Sequence, residues 1–175
     1  MTKISQNDFQ REIVAALPSL WRFSMSLCGA ADVADDLTQK TCLRALERRD
    51  QVYDTAGIGR WLLTICRSIW YNELRANALR KAQSLESTEA RNAAAENPSS
   101  ESNIFTGEVF TAVMNLPEAQ RSVVMVVLIE GFAYREAAEM LDIPIGTVMS
   151  RLSAAREKLR MKLDSDVTVA REEVK

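Results

Sequence analysis

Side chains able to do covalent chemistry are few in this sequence, whereas those able to hold a polyanion are many and clustered. Histidine is absent from the 175 residues. That removes imidazole acid–base catalysis, Ser–His and Cys–His nucleophile pairs, and the commonest zinc ligand. Cys28, Cys42 and Cys66 form neither a CxxC pair nor an even disulfide set, and read as thiols packed on helix faces. Gly57-Ile58-Gly59 is too short for a phosphate-cradling loop. No catalytic residue, metal-ligand set or cofactor is therefore expected, and an enzyme is disfavoured.

The cations fall in two places. Arg60, Arg67, Arg75, Arg80 and Lys81 share residues 60–81 with only Glu73 as a counter-charge. Arg151, Arg156, Lys158, Arg160 and Lys162 share residues 149–162 with only Glu157. Between these segments, residues 85–101 carry Glu86, Glu89, Glu96 and Glu101 against Arg91. The net charge is nevertheless −2 and the pI about 5.4. A free nucleic-acid binder is usually basic overall. Two basic segments around an acidic spacer point instead to local contacts with an anionic partner.

The length fits one ordinary domain or two small ones. With 47% apolar and 26% charged residues the chain reads as a folded globular protein. No apolar run approaches the roughly 18 residues that would span a bilayer. Met1–Asp8 is polar, without a secretory pattern, so a cytoplasmic location is expected.

Helical periodicity dominates. Phe9, Ile13, Ala16, Leu17, Leu20, Phe23 and Leu27 recur at helical steps, with a kink or break expected at Pro18 and a stop at Gly29. Asp32 is the expected N-cap of a second helix carrying Val33, Leu37, Leu43 and Leu46. Residues 50–59 read as a loop. A third helix should bury Trp61, Leu62, Ile65, Ile69 and Leu74. The periodicity then fades, and Asn97-Pro98-Ser99-Ser100 reads as linker. Pro117-Glu118 suits a helix start. The run Val123–Ile129 is β-branched and taken alone reads as a strand. Lying between a helix-start signal and Gly131, with helical patterns on both sides, it is assigned to a helix.

Tyr134–Met140, a turn at Asp142-Ile143-Pro144, and a helix over Ile145–Lys162 form the pattern of a helix-turn-helix. Val148, Leu152, Ala155, Leu159 and Leu163 make its inward stripe, and Thr147, Ser150, Arg151, Ala154 and Lys158 the opposite face, flanked by Arg156 and Arg160. Such a helix can enter a DNA major groove N-terminus first, with Arg suited to guanine and Ser or Thr to base edges and phosphates. An ordinary helical hairpin with a solvated basic face fits the spacing equally well.

The segment from Ala133 to Arg156 resembles the C-terminal domain of the extracytoplasmic-function (group IV) bacterial sigma factors, and Leu116–Arg121 resembles the segment that precedes it. Asp36–Leu46 is similar to that family's helix that clamps core RNA polymerase. Trp61–Ser68 through Glu73–Arg75 is similar to its promoter-melting helix. The resemblance implies an all-α fold of two small domains. Residues 1–83 would bind core polymerase and the −10 element, 84–103 would be a linker, 104–165 would bind the −35 element, and 166–175 would be a tail. It implies polymerase contacts at Asp36, Gln39, Lys40 and Leu43. It implies −10 contacts at Arg60, Trp61, Arg67 and Arg75, with Trp61 bracing a loop that holds a flipped base. It implies −35 contacts at Thr147, Met149, Ser150, Arg151, Ser153, Ala154 and Arg156. The implied partners are core RNA polymerase, promoter DNA and an anti-sigma factor, which in some members is membrane-bound or zinc-binding. A stress-response role follows from the same likeness, and no stable homo-oligomer is expected.

The sequence departs from the family pattern at several of these positions. Asp142 stands where the turn usually has Gly, Lys40 where an acidic residue is usual, Ser68 where Asn is frequent, and Met149 where Lys is common. Ser153 and Ala154 replace larger polar or basic residues. These losses leave a second reading open: a sigma-like decoy that sequesters an anti-sigma factor without binding DNA. Arg67 could also be a simple partner of Glu73, and Trp70 and Tyr71 could be packing or strand-stacking residues.

Overall fold

The computed structural model describes residues 4–84 and 108–172. It divides into two units, Met1–Ser99 and Ser100–Lys175. The expected linker lies outside the described residues except for Ser84, as do the last three residues of the expected tail. Among the described residues every regular element is helical.

The first unit is three helices, α1 (Gln6–Cys28), α2 (Ala31–Glu47) and α3 (Ile58–Ser84), each packed against the other two. Ser5 caps α1 by accepting from the Asp8 N–H at 3.1 Å. Gly29 ends it at φ 79, donating its N–H to the Met25 carbonyl. The expected break at Pro18 does not occur: α1 is continuous. Pro18 removes the N–H that would reach the Val14 carbonyl, but Val14 and Pro18 both face solvent, where water can satisfy the orphaned group. Burial of Phe9, Ile13, Leu20, Phe23 and Leu27 holds the helix on both sides of the proline.

Asp32 is not the N-cap of α2. Only Gly29 and Ala30 separate the helices, so Ala30 takes the cap position without a side-chain bond and Asp32 falls in the first turn. There its carboxylate still favours the positive end of the helix dipole. The apolar residues expected on α2 do not all face inward. Ala34, Leu37, Thr38, Thr41 and Ala45 face inward, whereas Leu43 is 61% and Leu46 47% exposed. Leu74 on α3 is likewise exposed, and Leu63 and Cys66 are buried where the expected stripe omitted them. Small Ala and Thr side chains let α2 approach its neighbours closely, and a leucine at the same contact would overpack it.

A polar chain runs through this apolar centre. Thr38 donates to Ser24 at 3.1 Å, Ser24 donates to the Leu20 carbonyl at 2.9 Å, and Ser24 Oγ lies 3.3 Å from Cys66 Sγ. Each buried hydroxyl therefore has a partner, which removes the cost of an orphaned polar group. Burial pushes the Cys66 thiol up to about 12, so it stays neutral and serves as a packing group. The connection to α3 holds two short 3₁₀ turns, Arg49–Gln51 and Thr55–Gly57, the second capped by Asp54 accepting from the Ala56 N–H.

The second unit contains α4 (Glu108–Met114), α5 (Glu118–Val124), α6 (Tyr134–Leu141) and α7 (Ile145–Glu172). Pro117 caps α5, its carbonyl accepting from Gln120 and Arg121. Arg121 also donates to the Met114 carbonyl at 2.9 Å, tying α4 to α5. The β-branched run is helical, as its neighbours require. It continues α5 into a π-helical turn, Met125–Ile129, closed by Glu130 donating to Met125 and by Gly131 at φ 75. Val123 to Val126 are buried, and burial outweighs the modest helix cost of valine.

Helices α6 and α7 both pack against α5 and against each other. Ala137 is fully buried at their contact face. Asp142 occupies the left-handed region at φ 48, ψ 52, the conformation a glycine would take there most cheaply. Its N–H reaches the Glu139 carbonyl and that of Ile143 the Ala138 carbonyl, after which Pro144 accepts from Thr147 and Val148 to start α7. The last helix runs to Glu172, beyond the expected end at Lys162 and into the expected tail.

The turn sets a test. Asp142→Val should destabilise the chain by about 1–2 kcal/mol in urea unfolding, because a β-branched residue resists positive φ. Asp142→Gly should stay within about 0.5 kcal/mol of the parent. A valine variant as stable as the parent would contradict the strained turn.

Candidate nucleic-acid and protein interfaces

Each unit presents its candidate residues on helix faces left over after the core is packed. In the second unit the buried positions of α7 are Val148, Leu152 and Ala155, with Leu159 half-buried. Leu163 lies beyond the residues whose side chains are described. That burial fixes the rotation of the helix about its own axis. Met149, Ser150, Ser153 and Arg156 then face solvent, and Thr147, Arg151 and Ala154 lie half-buried at the edge. The seven expected duplex-contact positions thus sit in the first twelve residues of α7, none of them in the core. The Ser150 hydroxyl donates to the Thr147 carbonyl at 3.1 Å, so its oxygen is left chiefly as an acceptor.

In the first unit, Arg60, Arg67 and Arg75 are seven and eight residues apart, which places them on one face of α3 with Thr64 and Tyr71 between them. The buried Leu62, Ile65 and Cys66 occupy the opposite side. The Arg67 guanidinium lies over the Tyr71 ring, 4.9 Å from its centroid. Cation–π stacking of this kind holds the fork extended along the face. Arg75 reaches Asn72 at 3.3 Å and Arg80 reaches Asn77 at 3.0 Å, both exposed. The stripe can neutralise successive phosphates while Tyr71 offers a ring at the same level. Trp61 is half-buried, edge-on to Phe9 of α1 with centroids 6.4 Å apart. It anchors the start of α3, next to the turns at 49–57, to the core. Trp70 Nε1 is buried with no hydrogen-bond partner among the described residues.

On α2, Asp36, Gln39, Lys40 and Leu43 follow the spacing of one helix face. Asp36, Gln39 and Leu43 are exposed, and Lys40 is half-exposed. The Lys40 ammonium lies 2.6 Å from Asp36 and 2.7 Å from Glu73 of α3. The hydrogen bonds that Lys40 donates to those two carboxylates, to Asp36 first, raise its pKa above the ordinary lysine value. Sequence reading treats Lys40 as a charge reversal on a surface offered to a partner. The structure shows its charge met from within the same unit. Lys40, Leu43, Arg44, Glu47, Ile69 and Glu73 line a shallow groove between α2 and α3. Sequence periodicity puts Leu43 and Leu46 on α2 with Leu37 without saying which of them face inward. The signal for exposure was their phase relative to Leu37, Thr41 and Ala45, legible once small residues are allowed as core positions.

Residues 13–80 match the family described as Sigma-70 region 2, and residues 106–159 that described as Sigma-70, region 4. Over 155 residues the chain is 35% identical to the ECF RNA polymerase sigma factor EcfG of Rhodopseudomonas palustris, covering 89% of this chain and 84% of that one. It is 31% identical over 147 residues to the ECF RNA polymerase sigma factor SigL of Mycobacterium tuberculosis, covering 82% of each. Among solved structures, the sigma factor RpoE from Bartonella quintana, crystallised with the anti-sigma factor NepR, aligns with a TM-score of 0.70 at 30% identity. That alignment covers 91% of this chain and 98% of that one. CnrH, solved with the cytosolic domain of CnrY, shares the fold at TM-score 0.58 and 22% identity.

The Lys40 cluster yields a direct expectation. Lys40→Glu sets a third carboxylate between Asp36 and Glu73, so the melting temperature should fall and should recover as salt screens the repulsion. Lys40→Met should cost no more than about 1 kcal/mol, the range of an exposed ion pair. A Lys40→Glu variant with parental stability at low salt would show that the triad does not form.

Proposed function

Since the chain belongs to the ECF RNA polymerase sigma factors of the sigma-70 family, which are transcription initiation factors, we propose that it grips core RNA polymerase through α2 and promoter DNA through α3 and α7. The observation that carries this reading is the outward set on α7: Ser150, Ser153 and Arg156 exposed, Thr147 and Arg151 at the edge, and the core stripe turned away. On α2 the partner surface is Asp36, Gln39 and Leu43, with Lys40 fixing the helix to α3. On α3, Arg60, Arg67 and Arg75 follow the −10 strand. Trp61 holds the start of that helix beside the loop that takes a flipped base, and base flipping costs a few kcal/mol that a pocket and a positive groove offset.

The protein contributes binding and not bond-making chemistry. It has no histidine, and Cys66 is locked as a neutral thiol. No helix among the described residues is long and apolar enough to cross a membrane. We place its work in the cytoplasm, where the polymerase is. The related RpoE was crystallised with an anti-sigma factor, which supports control of this chain by such a partner; a stress response is the setting we propose for it.

In-vitro transcription with purified core polymerase on a randomised promoter library tests the reading. The chain should confer specific starts and return a two-element promoter. Arg151→Ala should lower initiation by about 1–3 kcal/mol of transition-state or binding free energy, and only where the upstream element is present. A chain that binds an anti-sigma factor but starts no RNA at any template would be a decoy.

A further inference from the structure

The first two turns of α7 carry an apolar pair that neither core packing nor phosphate binding explains. Met149 is 49% and Ile145 44% exposed. They are four residues apart, so they adjoin on one flank of the helix. Val148 and Leu152 already fill the inward positions beside them. Nearby Ser150 has spent its donor on the Thr147 carbonyl. Arg156 lies two turns beyond Met149 on the same flank and Arg151 half a turn beyond it round the helix; both can hold phosphates, so the charge near the pair suits duplex DNA. The one apolar feature that a base pair shows in the major groove is the thymine 5-methyl group.

We propose that Met149, supported by Ile145, is a specificity-determining residue that reads a thymine methyl in the upstream promoter element. The proposal rests on the sigma-factor reading above and deepens it. Methionine suits the role because its unbranched thioether chain can follow an irregular apolar surface. The contact supplies discrimination without a hydrogen bond, at a place in the helix where the sequence offers neither Lys nor Asn.

The test uses holoenzyme assembled from core polymerase and the full chain, on the best promoter returned by the library. Each upstream thymine is replaced in turn by deoxyuridine, which removes only the methyl. For the parent chain, at least one replacement should weaken promoter binding about fourfold, the equivalent of one buried carbon group. Met149→Ala should reduce the thymine-to-uracil ratio at that position to about one, while Met149→Leu should restore it. Unchanged circular dichroism and melting of Met149→Ala would confirm that this surface variant is folded. Equal binding of thymine and uracil promoters by the parent at every position, or a fourfold ratio that persists in Met149→Ala, overturns the proposal and leaves the sigma-factor reading intact. A holoenzyme that initiates at no library promoter overturns both.

Discussion

Burial of Val148, Leu152 and Ala155 against α5 and α6 sets the rotational phase of α7, and the phase decides which chemistry the helix shows to a partner. One residue of slip would turn the helix by about 100° and carry an exposed polar side chain into the core. Fully burying a valine or leucine side chain is worth about 1.5–3 kcal/mol, against at most about 1 kcal/mol for any exposed ion pair. The apolar stripe therefore wins, and the polar and cationic positions take what remains. The left-handed Asp142 and the buried Ala137 serve the same end, because a close and fixed approach of α6 holds that phase.

The first unit solves the same problem twice. On α3 the buried Leu62, Ile65 and Cys66 leave an opposite face on which three arginines and a tyrosine line up. On α2 the inward face is Leu37 among the small Ala34, Thr38, Thr41 and Ala45, and Leu43 and Leu46 remain outside. Exposed leucines raise no packing energy in the free chain, and their apolar area is available to a partner. Lys40 ties this surface to α3 through Glu73, so the two faces are offered by helices held in fixed relation within the unit.

Much of this was legible in the sequence where two independent signals agreed. Gly29 marked a helix end by glycine chemistry and by the stop of a periodic run, and it adopts the left-handed cap. Asp142 was marked by the family resemblance, standing where the turn usually has Gly, and it takes the left-handed conformation. The valine run was assigned to a helix by context against its own propensity, and tertiary burial made it so, with a π turn that no local pattern encodes. The failures share one cause. Counting large apolar residues put Leu74 in the buried stripe of α3 and, on α2, passed over the inward Thr38 and Thr41, whose small size is what the tight helix contacts require. Likewise Asp32 is a good cap by type, but a two-residue connection left it no position to cap from. Pairings such as Lys40 with Glu73, 33 residues apart, become visible only in three dimensions.

The central claim is that α3 and α7 meet separate stretches of one promoter within a polymerase complex, each by the face its core leaves outward. A photo-crosslinking amino acid at Ser150 of α7 or Asn72 of α3, both exposed, tests this most directly in holoenzyme bound to promoter DNA. The account expects two distinct crosslink clusters, with that from position 150 lying upstream in duplex and that from position 72 in the region that opens. Crosslinks from both positions to the same bases, or to polymerase alone, would contradict it.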